Sequence, residues 1–554
     1  MGERGYRYTG EPPPPRFNMA AYCLGLRPGA PRDPDRVGLV VVSDAHAPAT
    51  AAQRWTYAEL DDSVRAAAAG LLALGLQPGE RVMLRLGNSA AYPLLFFGAV
   101  AAGLVAVPTS AQLTAEEALL LLADSGARAV VMSDDLGIEV PDGVMRLGPE
   151  RLAAWQGGAD RAGYSDTDAE DPAFLVYTSG TTGRPKGVLH AHRSAWGRRP
   201  MYQGWYGIGP DDVMLHAGAL NWTYTLGVGL TDPWATGATG VVYNGGKDPT
   251  VWPVLMQAHR ASLFAAVPGV FRQLLRYTDV AEYDLSALRH GLVAGEALSP
   301  TLYRHWRQAT GTELYEALGM SECSTFVSSS PSVPVRPGCP GRPQPGRCVV
   351  VLPADGDAAA ATTPLPAGAS GALAVHRTDP GLMLGYWNRP QEEGEVFRGE
   401  WFVGGDLAHL DEDGYVHFHG RADDVMNAMG YRVSPLEVEA VLAKHPLVAD
   451  VAVAELPIRE GVSVVAAFVV VPDPDDPDCF DAAALMAHAA EHLAGYKRPR
   501  EIIFVDALPR TANGKVRRRE LAGTSWAPLT SPSSGSPQSL GHVKRVAVEA
   551  DSSE

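Results

Sequence analysis

At 554 residues the chain is too long for one hydrophobic core, so two or more domains are expected. Apolar residues make up 46% and charged residues 20%, the balance of an ordinary globular protein and neither of a disordered nor of a membrane-embedded one. The net charge of −17 argues against nucleic acid as a partner, and any site for a polyanion must gather its cations locally. The five cysteines (Cys23, Cys323, Cys339, Cys348 and Cys479) are odd in number and contain no C-x-x-C pair. They read as reduced thiols of a cytoplasmic protein, with no zinc site. The N-terminus has no apolar core and reads as no signal peptide. The longest apolar run, Leu94 to Val107, is shorter than the roughly 20 residues of a membrane helix, so no span is expected.

Residues 1–37, rich in Pro, Arg and Gly, are expected to wrap over a surface. The spacing then predicts a helix over 58–74 that stops at Gly75, a turn at Pro78-Gly79, and a half-exposed strand over 81–86. Helix 92–103, strand 104–108, helix 114–125 and strand 128–132 follow. Phe174 to Tyr177 reads as a buried strand. Strand 239–243, helix 251–258 and a strand over 288–294 continue the alternation, which predicts an α/β fold with a largely parallel sheet. After Pro331 short strands and turns replace helices, so a small β-rich subdomain is expected over about 331–420, closing a large domain of residues 1–422. Helix 435–444, strands 449–455 and 463–471, helix 481–493 and strand 501–505 predict a small, mobile α+β domain over 423–525. The Ser- and Pro-rich residues 526–554 are expected to be disordered.

The strand at 174–177 runs into Thr178-Ser179-Gly180-Thr181-Thr182-Gly183-Arg184-Pro185-Lys186-Gly187. Small residues there let backbone N–H groups crowd a polyanion, hydroxyls add donors, and Arg184 and Lys186 add charge. A strand, a glycine-rich turn and a lysine suggest a phosphate cradle. The P-loop pattern G-x-x-x-x-G-K-[ST] does not fit, because Gly187 follows Lys186.

This run resembles the signature loop of the acyl-adenylate-forming superfamily: acyl-CoA synthetases, peptide-synthetase adenylation domains and luciferases. Further blocks match in family order. Tyr315 to Glu322 resembles the second signature, where Gly319, Met320 and Ser321 would meet ATP and Glu322 would hold Mg²⁺, a hard cation suited to oxygen ligands. Gly295-Glu296-Ala297 resembles the adenine-contacting segment. Trp401 to Asp406 resembles W-x-x-T-G-D, whose aspartate accepts from the ribose hydroxyls; Gly404 replaces the usual threonine. In the run 420–433 the resemblance implies that Arg421 contacts nucleotide, Asp423 is the hinge, Gly430 and Tyr431 line the pantetheine tunnel, and Arg432 meets phosphate. Within 508–518, Lys515 corresponds to the lysine that bridges the carboxylate and the α-phosphate.

The resemblance therefore implies an AMP-forming acid–thiol ligase that uses ATP, Mg²⁺ and coenzyme A. Lys515, Glu322 and Lys186 would be catalytic. Acetate-specific relatives carry tryptophan where this chain has Gly319, so an acid larger than acetate is expected: medium-chain, alicyclic or aromatic. Trp222, Tyr224, Leu226 and Gly319 are the candidate acyl-pocket residues. The expected partners are a small carboxylic acid, ATP and CoA, with a homodimer as the candidate assembly. Two alternatives stand beside this reading: an adenylate former that hands its acyl group to a carrier protein or partner enzyme, and a non-catalytic nucleotide or acyl binder.

Overall fold

Local chemistry starts the first helices. The Thr56 hydroxyl accepts from the Glu59 amide at 3.2 Å, and the Glu59 carboxylate accepts from the Thr56 amide at 2.7 Å. This reciprocal cap opens α1 (Tyr57–Ala73). The buried α2 (Ala91–Ala101) follows. Thr114 and Glu117 repeat the cap at α3 (Ala115–Ser125), which ends on Gly126 at φ +59°.

In the computed structural model α2 and α3 pack on a seven-stranded sheet, and α1 packs on α2 and on the strands Val37–Val42 and Gln53–Thr56 of a second sheet. The structure describes residues 6–26, 32–178, 185–246, 248–354, 362–422, 426–428, 431–459, 462–493, 495–510, 516–523 and 544–547. Strands Met145–Leu147, Ala129–Met132, Arg81–Arg85 and Val105–Thr109 run parallel, followed by β1 (Pro172–Thr178). Then β2 (Lys186–Ala191) returns antiparallel to β1, and Gly385–Tyr386 caps that edge.

The second sheet has nine strands. Its parallel centre contains β3 (Val213–His216), β4 (Leu263–Ala266), β5 (His290–Ala294) and β6 (Glu313–Met320). β7 (Ser324–Ser328) folds back on β6 as an antiparallel hairpin. A third, five-stranded sheet carries the hairpin of β8 (Trp401–Leu410) and β9 (Val416–Arg421). Beyond it, helices Pro435–Leu442 and Ala482–His492 pack on one face of a sheet built from Asp450–Arg459, Val462–Val470 and Glu501–Phe504. The α/β body, the β-rich unit and the α+β C-terminal part are those that the sequence predicts. Among the described residues no helix is long and apolar enough to cross a membrane; the run at 94–107 divides between α2 and the strand Val105–Thr109.

Three stretches depart from expectation. The N-terminal residues do more than cover a surface: Asn18 caps a helix at Met19–Leu24 that buries Met19, Ala20, Cys23 and Leu24 in the main core. The apolar run after the prolines drives this burial. Within 331–420 two short strands leave the β-rich unit. Arg342–Pro343 extends the nine-stranded sheet and Gly385–Tyr386 the seven-stranded one, so this stretch stitches the large domain together. In the stretch expected to be disordered, Lys544–Ala547 pairs antiparallel with Glu501–Phe504, with Val546 opposite Ile502. An open sheet edge offers unpaired backbone groups to any short β-forming run.

Candidate active site

The antiparallel turn from β1 to β2 places Thr178 directly opposite Lys186. The glycine-rich residues Ser179, Gly180, Thr181, Thr182, Gly183 and Arg184 lie outside the described residues, but both stems of their loop are in place. The Lys186 ammonium stands 3.1 Å from Glu392 Oε2 and 5.5 Å from the centre of the Tyr386 ring. The Tyr386 hydroxyl donates to Glu322 Oε1 at 2.7 Å. Tyr386 therefore joins the lysine of one signature to the glutamate of the other. Burial, then the Glu322 charge, pushes its phenol well above the ordinary range. Sequence reasoning missed this residue; its signal was the glycine–aromatic run Gly385-Tyr386-Trp387 on a two-residue edge strand.

A second brace crosses the same gap. The His190 ring, buried on β2 and stacked on Phe174 at 4.6 Å, donates from Nε2 to the Ser321 carbonyl at 2.8 Å. Burial lowers its pKa to about 4, so the ring is neutral and the donated proton fixes its tautomer. Phosphate-loop stem and glutamate signature are thus held by two side chains from one hairpin and its edge strand.

Open parallel sheets bind ligands beyond the carboxyl ends of their strands. Gly295, at φ +92°, turns the chain off β5, and Glu296 and Ala297 follow. Glu316 on β6 supports this turn by accepting from the Leu298 amide at 2.9 Å. Burial raises the Glu316 pKa to about 7. The Glu296 carboxylate faces Arg272 at 3.7 Å and Arg510 at 3.6 Å. Burial raises its pKa, and the two guanidiniums pull it down.

Arg510 belongs to the C-terminal part. It also pairs with Asp450 at 2.7 Å, and it forms an antiparallel bridge with Val516. Lys515 itself lies outside the described residues. Of its two described flanks, Arg510 meets Glu296 in the segment 295–297.

Asp406 is buried at 4% exposure on β8, opposite Arg421 on β9, with 3.5 Å between the carboxylate and guanidinium. Gly405 has φ +87°, a backbone that favours glycine. The departure at Gly404 has a packing reason: a Cβ there would overlap the Met320 sulfur. A threonine there would require the flexible end of Met320 to shift. Asp423 and Gly430 lie outside the described residues. Tyr431 and Arg432 are described by backbone alone, in the strand Tyr431–Val433.

The acyl-pocket expectations divide. Trp222 and Tyr224 are half-buried at the start of a short helix, Thr223–Leu226, and the Tyr224 hydroxyl lies 3.3 Å from the Ala266 carbonyl at the end of β4 and from the Leu292 carbonyl in the middle of β5. Leu226, at 3% exposure, joins the main core with Phe97 and Trp234, and that packing accounts for it without a ligand. Gly319, the other acyl-pocket candidate, stands in a tight hairpin. It sits at a register shift in the β6–β7 hairpin, where a Cβ would overlap the Ser324 carbonyl oxygen and Thr325 Cα. The close backbone approach is what demands glycine here.

Comparison with known proteins places this geometry in a class. Residues 29–387 match the family model of the AMP-binding enzyme, and residues 437–515 match the AMP-binding enzyme C-terminal domain. The chain belongs to the AMP-binding enzyme family. It is 32% identical over 485 residues to the benzoate–CoA ligase of Thauera aromatica, covering 84% of this chain and 90% of that one. It is 31% identical over 482 residues to the 3-hydroxybenzoate–CoA ligase of Aromatoleum sp. (strain CIB), covering 84% and 91%. The anthranilate CoA ligase AuaEII, solved in complex with anthranoyl-AMP, superposes with a TM-score of 0.80 at 28% identity, over 92% of this chain and 97% of that one. The protein is an AMP-forming acid–thiol ligase, with ATP and coenzyme A as co-substrates and Mg²⁺ as the usual ion of the family. The residues present fit that ion: Glu322 uses one oxygen to accept from Tyr386, and its carboxylate suits a hard cation.

Proposed function

We propose that this chain activates an aromatic or similarly bulky carboxylic acid to its acyl-AMP and transfers the acyl group to coenzyme A. The reading rests above all on the 3.6 Å approach of Arg510 to Glu296, which brings the flank of Lys515 to the segment resembling the family's adenine contact. Lys186 and the loop before it hold the terminal phosphates. Glu322, braced by Tyr386, holds Mg²⁺, which when bound offsets phosphate charge. Asp406 accepts from the ribose, and Arg421 and Arg432 meet the nucleotide. Lys515 lies between the substrate carboxylate and the α-phosphate, two anions that must approach each other, and offsets their repulsion as the new P–O bond forms and pyrophosphate leaves.

Rotation of residues 423–525 about Asp423 then removes Lys515 and brings Gly430 and Tyr431 to the pantetheine path. The CoA thiol displaces AMP from the acyl carbon without any side-chain nucleophile. Half-buried Trp222 and Tyr224 suit an apolar ring, and relatives named for benzoate and 3-hydroxybenzoate support an aromatic acid. Five free cysteines fit a reducing cytoplasm.

The test is AMP release across a panel of acids, with and without CoA, for the wild type and Lys515→Ala. Lys515→Ala is expected to abolish adenylation while leaving thioester formation from supplied acyl-AMP largely intact. Equal loss of both half-reactions overturns the two-orientation scheme. Thioester formed on a carrier protein and never on CoA overturns the choice of acceptor.

A further inference from the structure

His216 ends β3 and faces the same layer as Tyr224, whose ring meets it edge to face at 4.5 Å. The residue is 5% exposed, yet neither ring nitrogen has a hydrogen-bond partner among the described residues. A buried imidazole left so is costly, because water has been stripped from both nitrogens and nothing replaces it. His190, also buried, spends its Nε2 proton on a carbonyl.

The side chains around the ring are small towards the carboxyl edge of the sheet. His216 pairs in register with Ala265 on β4, so it lies in the body of the sheet near its carboxyl edge. Towards that edge the neighbouring strands β5 and β6 present only Ala294 and Ala317 to the same layer. At Gly218, two residues on, a Cβ would come within 3.1 Å of His216 Cε1 and Nδ1. Gly218, Ala294 and Ala317 are thus small neighbours on that side, while both ring nitrogens are closed to solvent in this structure. Burial holds the ring neutral, with its pKa lowered to about 3. A neutral imidazole offers one donor and one acceptor. Its complement is a group that both accepts and donates, such as a hydroxyl or an amino group. A second carboxylate would call for a buried imidazolium, which this environment disfavours.

We infer that His216 is a specificity-determining residue that hydrogen-bonds a hydroxyl or amino substituent on the acyl part of the substrate, so that the enzyme's acid is a hydroxy- or amino-substituted one. This rests on the acid-activating reading above and sharpens its substrate class.

The experiment is AMP release with matched pairs of acids. Each pair consists of benzoate or cyclohexanecarboxylate and its ring-hydroxylated or ring-aminated derivatives, assayed with the wild type, His216→Leu and His216→Gln. The wild type is expected to favour at least one substituted member over its parent by about tenfold or more in kcat/KM, because a site built for a polar group rejects the analogue that lacks it. His216→Leu should bring that ratio near one, mainly by improving the parent acid, whereas His216→Gln, which keeps a donor and an acceptor, should retain part of it. Preference of the wild type for the unsubstituted member of every pair overturns the inference without recourse to any variant. An unchanged ratio in a folded His216→Leu does the same. AMP release with none of the acids, substituted or not, counts against the acid-activating reading itself and takes this inference with it.

Discussion

Replacing Glu316 with glutamine tests how the adenine-type turn is held. The carboxyl is 7% exposed, accepts from the Leu298 amide, and has its pKa raised by burial from 4.5 to about 7. A carboxyl with a raised native pKa binds more protons folded than unfolded between those two values. Stability therefore falls as pH rises from about 4.5 through about 7. Above that window the full cost applies, and a shift of this size corresponds to roughly 3 kcal/mol. Glutamine keeps an acceptor for Leu298 and has no charge to bury. For a folding unit of several hundred residues this translates to a gain of about 3 °C in Tm. Glu316→Gln should therefore melt higher than the wild type at pH 8.5 and no higher at pH 4.5. Thermal unfolding of both proteins across pH 4.5–8.5 measures this. A variant that is less stable by the same amount at every pH would mean that the carboxyl is not titrating in the native state, and the account of the strut would be wrong.

Two further perturbations probe the rest of the site and its frame. Tyr386→Phe removes the donor to Glu322; hydrogen bonds to charged groups contribute about 1.5–3 kcal/mol, so adenylation should slow by roughly 10- to 100-fold and need more Mg²⁺, read as pyrophosphate release against metal concentration. An unchanged metal requirement would separate Tyr386 from the ion. Arg347 and Asp379 form an ion pair at 2.7 Å with side chains 0% and 1% exposed; Asp379→Ala strands a buried guanidinium and should cost about 3–5 kcal/mol in denaturant unfolding, whereas the double variant Arg347→Met/Asp379→Leu should recover most of it.

Much of the site could be read before any coordinates, because short-range demands write themselves into short runs. Thr56 and Glu59, or Thr114 and Glu117, announce helix starts through a cap completed within four residues. The Ser321-Glu322 pair and Asp406 sit in local patterns that set the local backbone. Contacts between distant segments leave no such trace. Tyr386 meets Glu322 and Lys186 only because a two-residue strand attaches to the edge of β2.

Two glycines have surroundings that no local pattern shows. The need for glycine at 319 comes from the backbone of β7 pressing on β6, and Gly404 accommodates a methionine more than eighty residues away in the chain. The order of signatures along the chain was enough to determine the class of chemistry, since each cradle or carboxylate carries its own chemical requirement. Tertiary packing alone decided which of these groups brace one another, that Arg510 meets Glu296, and that His216 lies buried with no partner for either nitrogen among the described residues. Burial and partnership depend on segments hundreds of residues apart, and a linear pattern carries no measure of that distance.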